Sequence, residues 1–125
     1  MTRRVLLIDD EDGIRTVARM TLERIGGWEV LEASTGPAGV ELAALHQPDA
    51  VLLDVMMPGV DGPTTFGLLD ADERTHGIPV LLLTGRGNSA ERATWAAQGV
   101  AGVLAKPFDP LQLAREVSQA LGWAP

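Results

Sequence analysis

The sequence contains no cysteine among its 125 residues. A disulfide framework and a thiolate metal site are therefore excluded, and the absence fits a protein of a reducing compartment. Basic residues are also scarce, because ten Lys and Arg face seventeen Asp and Glu and leave a net charge of −7. This balance disfavours a general binder of the nucleic-acid phosphate backbone.

A long apolar segment is missing as well. The N-terminal run, residues 5–8, is too short for the apolar part of a signal peptide or for a membrane span. The composition, 46% hydrophobic and 22% charged, is near that of globular proteins. We therefore expect one domain over residues 1–125, located in the cytoplasm and without membrane attachment.

Five short apolar runs predict five strands. They cover residues 5–8, 28–33, 50–53, 80–83 and 102–105. All but the second are continuously apolar, which indicates strands covered on both faces, as in a parallel sheet with crossover helices.

Segments of helical period separate these runs and predict five helices. They cover about residues 14–25, 35–47, 61–75, 89–98 and 110–121, with Thr35 opening the second and Asn88 or Ser89 capping the fourth. In the first helix, Arg15 and Arg19 fall on the face opposite the apolar stripe. The alternation of strand and helix predicts an open, doubly wound α/β sheet.

Polar residues follow four of the predicted strands, at the edge where sites form in such sheets. Asp9 and Asp10 follow the first strand, Asp54 the third, Thr84 the fourth and Lys106, the only lysine, the fifth. Two carboxylates about 4 Å apart repel by about 4 kcal/mol at an effective dielectric near 20. The acidic cluster therefore predicts a divalent cation, for which Mg²⁺ is the natural choice.

The same strand ends carry no His, Ser or Cys nucleophile. This pattern favours phosphoryl transfer, with Asp54 as the nucleophile that forms an aspartyl phosphate. The residue after Lys106 is Pro107, and a cis peptide bond there would aim the lysine inward.

Four segments, LLIDDE, LLDVMMPGVDG, LLLTGRG and AGVLAKPF, resemble the receiver domains of two-component response regulators, and the likeness spans the whole chain. The resemblance implies a five-stranded parallel sheet of order 2-1-3-4-5 flanked by five helices, as in single-domain chemotaxis regulators. It also implies a signalling domain that assists its own phosphorylation and dephosphorylation, and not an enzyme.

The resemblance further assigns roles to single residues. It implies that Asp54 accepts a phosphoryl group from a sensor histidine kinase or a phosphotransfer protein. Asp9, Asp10 and Asp54 would bind Mg²⁺ with the backbone carbonyl of Met56. Lys106 would pair with the phosphate, and Thr84 would move to hydrogen-bond it.

The output surface implied by the family is the fourth helix, the fifth strand and the fifth helix. It would contact an unknown output protein, with no direct nucleic-acid binding, in a monomer or an activation-dependent dimer. Val103 stands at the usual aromatic switch position and Gly85 replaces the usual Ala. Met56 and Arg86 stand where the family adjusts phosphate lifetime.

Two other functions are alternatives to the receiver-domain interpretation. A Mg²⁺-dependent phosphatase with an aspartyl-phosphate intermediate needs a second acid two residues after its nucleophile, where this sequence has Met56. A flavin-binding protein of the same fold needs a loop rich in Ser, Thr and Gly after the first strand, where this sequence is acidic. The end at Pro125 without a linker favours a single-domain protein that acts by docking, although a chain cut at a domain boundary would look the same.

Overall fold

The computed structural model describes residues 2–85 and 89–123, and within them strands and helices alternate five times. The strands are β1 (Arg4–Ile8), β2 (Glu29–Ala33), β3 (Ala50–Asp54), β4 (Val80–Thr84) and β5 (Gly102–Ala105). The helices are α1 (Asp12–Arg24), α2 (Gly36–His46), α3 (Gly62–Ala71), α4 (Ser89–Gln98) and α5 (Leu113–Leu121). The predicted alternation is confirmed.

The five strands form one parallel sheet in the order β2-β1-β3-β4-β5, as the family resemblance implied. The register brings the carboxyl ends of neighbouring strands level. Ile8 pairs with Leu53, and Thr84 pairs with Ala105. Asp9 and Asp54, each one residue further along, therefore lie at one edge of the sheet.

Apolar side chains cover both faces of the sheet, which explains why the inner strands are continuously apolar. On one face the strands pack against α2 and α3, with Trp95 of α4 at the margin. On the other face they pack against α1 and α5. The largest fully buried side chains are mostly leucines of the strands, so the sheet is a rigid platform for the residues at its edge.

Side-chain caps fix the starts of two helices. The Thr35 hydroxyl accepts a hydrogen bond from the backbone N–H of Ala38, and the Asp61 carboxylate accepts one from that of Thr64. Each bond satisfies an N–H that has no partner inside its helix. The predicted opening of the second helix at Thr35 is confirmed.

Helix ends were predicted less well. α3 ends at Ala71 and not near residue 75, because the Asp72 side chain accepts a hydrogen bond from the Arg74 backbone N–H and starts a separate turn. α5 begins at Leu113 and not at Pro110, because Asp109 accepts the N–H of Leu111 in a preceding turn. β2 begins at Glu29, one residue later than predicted. Asn88, one of the two predicted caps of α4, lies outside the described residues.

Two tryptophans meet at the end of the sheet opposite the acidic residues. The rings of Trp28 and Trp123 pack edge to face with centroids 5.1 Å apart, and the Arg3 guanidinium lies 4.2 Å from the Trp123 ring centroid. This contact joins the start of β2 to the segment after α5. Within the described part of the chain, no helix is both long enough and apolar enough to cross a membrane.

Candidate functional site

The sheet brings the predicted site residues to one edge. Asp9 follows β1, Asp54 ends β3, Thr84 ends β4 and Lys106 follows β5. Backbone hydrogen bonds extend the sheet to these positions, because the Lys106 N–H donates to the Thr84 carbonyl oxygen at 2.8 Å. The side chains are therefore placed by the strand ladder and not by flexible loops.

Lys106 lies between two of the carboxylates. Its Nζ atom is 2.8 Å from Asp9 Oδ2 and 3.1 Å from Asp54 Oδ1. The lysine side chain is 14% exposed, and both carboxylates are buried. One compact ammonium thus neutralises part of a buried negative cluster, a task suited to a point charge. The Lys106-Pro107 peptide bond is cis, as the sequence suggested.

Three carboxylates form a candidate cation site. Oxygen atoms of Asp9, Asp10 and Asp54 all lie within 4.8 Å of one another. These are hard oxygen donors, the type that Mg²⁺ prefers. Their mutual repulsion is only partly relieved by Lys106, so the donor set fits a divalent cation. The predicted gathering of these acids is confirmed.

The pKa values of Asp54 and Lys106 are both raised, for different reasons. Burial, followed by the negative charge of Asp9, raises the pKa of Asp54, although Lys106 and the Met56 N–H act against this rise. For Lys106, burial acts to lower the pKa, but the hydrogen bond and charge of Asp9, together with Asp54, outweigh it and raise the pKa. The lysine is thus held in its charged form.

Asp54 is almost fully buried, but it lines a cavity. The cavity has a volume of about 270 Å³ and is lined by Glu11, Asp54, Met56, Gly85 and Lys106. It opens to solvent, so a small molecule has a path to the carboxylate. Among the described residues, four larger cavities contain none of the three clustered acids, and one of them adjoins this cavity at Glu11, Gly85 and Lys106.

Thr84 and Met56 complete the predicted set, but they contribute in different ways. Thr84 is buried at the end of β4. Met56 donates its backbone N–H to Asp54 Oδ1 at 3.3 Å, and the residue is 62% exposed and lines the cavity. Arg86, the other residue expected to affect phosphate lifetime, lies outside the described residues.

Arg15 lies on the polar side of α1, as the helical pattern predicted, but its contact with the site was not predicted. Its side chain is 16% exposed, and its Nη1 donates to the Asp9 carbonyl oxygen at 2.8 Å. Helical periodicity separates apolar from polar faces but does not show that an arginine turns back to the loop before its helix. Its position six residues after Asp9 was the available signal.

Gly62 also supports the site and was not singled out. A Cβ atom at this position would lie 2.4 Å from the Asp54 carbonyl oxygen and 2.6 Å from Val55 Cα. The first turn of α3 therefore packs directly on the backbone of the central acid. Only a residue without a side chain permits this approach.

Residues 5–118 match the family model described as the response regulator receiver domain. The chain belongs to this family. Receiver domains are signalling modules of two-component systems, so the family assignment favours signal transduction over the phosphatase and flavin alternatives. The resemblance noted in the sequence is confirmed.

Curated relatives of this receiver domain are longer proteins. The DNA-binding dual master transcriptional regulator RpaA of Synechocystis sp. is 39% identical over 118 residues, which cover 94% of this chain and 48% of that protein. The response regulator PleD of Caulobacter vibrioides is 39% identical over 115 residues, which cover 90% of this chain and 25% of that protein. The chain thus spans about half of the first relative and a quarter of the second.

Solved structures of similar length share the fold. The chemotaxis protein CheY4 of Vibrio cholerae has a TM-score of 0.88 at 28% identity, with 96% of this chain and 99% of that chain covered. A putative response regulator from Chloroflexus aurantiacus has a TM-score of 0.86 at 30% identity, with 98% and 99% covered.

Proposed function

We propose that this receiver domain, residues 1–125, accepts a phosphoryl group on Asp54 from a sensor histidine kinase or a phosphotransfer protein in a Mg²⁺-dependent reaction. The observation that carries this proposal is the position of Lys106 between Asp9 and Asp54, with three carboxylates within 4.8 Å of one another. A nucleophile, a cation site and an ammonium thus share one accessible pocket.

The carboxylates of Asp9, Asp10 and Asp54 and the backbone carbonyl of Met56 would hold the Mg²⁺ ion. Bound there, the ion supplies positive charge to the oxygens of the transferring phosphoryl group. The set has no nitrogen or sulfur donor, which agrees with the oxygen preference of Mg²⁺.

In the transfer step, a carboxylate oxygen of Asp54 forms a bond to phosphorus while the bond from phosphorus to the donor imidazole nitrogen breaks. The electron pair of the broken bond stays on the imidazole. Lys106, whose pKa is raised, remains an ammonium that can bind a phosphoryl oxygen in place of one carboxylate contact. The protein mainly positions charge, as phosphoryl transfer requires. Hydrolysis of the aspartyl phosphate at the same site would reset the domain.

Phosphorylation adds about −1.5 to −2 charges at the edge of the sheet. We propose that the Thr84 hydroxyl then bonds the phosphate, and that its movement changes the surface of α4, β5 and α5. Val103 lies on β5 and packs against the core cluster on the sheet face that α2 and α3 cover. An aliphatic side chain there implies that repacking, and not rotation of an aromatic ring, would carry the signal.

An apolar groove beside the pocket suits the phosphodonor. Its lining includes Ile14 and Val17 of α1, Phe108 and Pro110 after β5, and Lys106, which also lines the pocket at Asp54. Val17 is 44% exposed, so this groove offers apolar surface to a donor protein. The switched surface would in turn bind an output protein, as a monomer or an activation-dependent dimer. With a net charge of −7, we propose that this domain itself makes no nucleic-acid contact.

Incubation with acetyl phosphate and Mg²⁺, followed by intact-mass measurement, tests the proposal. The parent should gain the mass of one phosphoryl group, and Asp54→Asn should not, because the amide is a poor nucleophile. Asp70→Asn is the matched control, since it makes the same charge change at an exposed residue of α3 and should label like the parent. Equal labelling of Asp54→Asn, or none in the parent, would contradict the proposal.

A further inference from the structure

The Arg15 guanidinium joins three segments of the chain. Its Nη1 donates to the Asp9 carbonyl oxygen at 2.8 Å, and its Nη2 donates to the Asp12 carboxylate. Its Nε lies 3.5 Å from Glu32 Oε1 on β2. Because the guanidinium is a rigid planar fork, these contacts fix the loop after β1 relative to α1 and β2.

Asp9 is constrained by this contact and by three others. Its N–H donates to the Ala33 carbonyl oxygen at 3.1 Å. Its Oδ1 accepts the Glu11 N–H at 2.9 Å, and its Oδ2 accepts from Lys106 at 2.8 Å. The bond from Arg15 fixes the remaining polar atom, the carbonyl oxygen. The direction of the Asp9 carboxylate therefore depends on contacts made by its backbone.

We propose that Arg15 is a positioning residue that holds the loop carrying Asp9 and Asp10 in the shape needed to bind Mg²⁺. The inference rests on the function proposed above. Groups that orient a metal ligand commonly change metal affinity tenfold or more when they are replaced. Arg15 touches no carboxylate of the candidate cation site and acts through the Asp9 backbone.

The charge of Arg15 and its positioning role predict opposite changes in Mg²⁺ affinity when the residue is replaced. Arg15 is a cation beside an acidic cluster, so by charge alone its removal would strengthen the binding of Mg²⁺. Loss of its hydrogen bonds would instead free the loop and weaken binding. A lysine at this position keeps the charge but cannot reach three acceptors with a planar fork.

The test titrates the parent and three variants of the 125-residue chain with MgCl₂. NMR spectra monitor binding through the backbone amide signals of Glu11 and Met56. Arg15→Lys and Arg15→Ala should each raise the dissociation constant about tenfold. Arg19→Ala is the matched control. Arg19 lies one turn further along α1 and binds Glu32 at 3.0 Å and Glu23 at 3.2 Å, and its loss should change affinity by less than about twofold.

A second signal separates positioning from a general loss of structure. The Glu11 amide donates to Asp9, so its chemical shift without Mg²⁺ should move in Arg15→Lys and stay unchanged in Arg19→Ala. Parent-like affinity in Arg15→Lys, or tighter binding in Arg15→Ala, would overturn the inference. Failure of the parent itself to bind Mg²⁺ would instead refute the proposed function.

Discussion

Gly62 gives the most direct test of how α3 is joined to the end of β3. In Gly62→Ala the new Cβ would lie 2.4 Å from the Asp54 carbonyl oxygen, about 1 Å closer than an ordinary contact of 3.4 Å. Both nearest atoms belong to the backbone of β3 and the residue after it, so no change of rotamer relieves the clash. Either the helix or the strand end must move.

The expected cost follows from two opposing effects. Overpacking a tightly packed site costs about 1–3 kcal/mol, and a backbone clash of this size belongs in the upper part of that range. The higher helix propensity of alanine stabilises the variant by less than about 1 kcal/mol, because the position is the first of the helix. We therefore expect a loss of about 2 kcal/mol, or a fall of about 8 °C in melting temperature for a domain of this size.

Gly67 provides a matched control on the same helix. A Cβ there would meet nothing within 4 Å, so Gly67→Ala should gain about 0.5–1 kcal/mol from helix propensity and reduced freedom of the unfolded chain. Urea unfolding followed by circular dichroism measures both changes. Gly62→Ala as stable as the parent would refute the inferred packing, and a loss in Gly67→Ala would show that α3 does not tolerate alanine in general.

Three further predictions concern the cap of α3 and the burial of α5. Asp61→Ala removes the cap of α3 and should cost about 1 kcal/mol in urea unfolding. Hydrogen bonds from the Thr64 backbone and side chain lower the pKa of Asp61. The parent should therefore have a larger free energy of unfolding than Asp61→Asn above the ordinary carboxyl pKa of 3.8, and this difference should fade as the pH falls through the lowered pKa. A difference that does not change with pH would contradict this prediction. Leu113→Ala should cost about 2–5 kcal/mol because the side chain is fully buried. Leu111→Ala, at a residue that is 71% exposed, should change stability by less than about 0.5 kcal/mol. Comparable losses of the two variants on thermal unfolding would refute this assignment of the core.

The sequence predicted the sheet well because its signal is local. Each inner strand is a short apolar run, and the polar residue that ends it is visible in the sequence. Once strands are parallel, Asp9, Asp54 and Lys106 must meet at one edge, so most of the candidate site could be predicted before any coordinates.

Features that depend on single hydrogen bonds or close contacts, and not on a repeating pattern, were harder to predict. The end of α3 depends on the Asp72 side chain competing for a backbone N–H, and the start of α5 depends on Asp109 doing the same. The inward turn of Arg15 depends on a carbonyl oxygen that no pattern of hydrophobicity reports. Gly62 looked like an ordinary helix start because no pattern in the sequence shows that the first turn of α3 packs back onto the backbone of Asp54 and Val55.

Lys106 is the single lysine of the chain and lies between two of the three clustered acids. Growth on lysine labelled with ¹⁵N at the side chain would therefore place one isotopic probe in the whole protein, inside the pocket. Its ammonium resonance would need no assignment and would follow cation loading and phosphate arrival in real time. A single labelled side chain would thus report on the candidate cation site without any mutation.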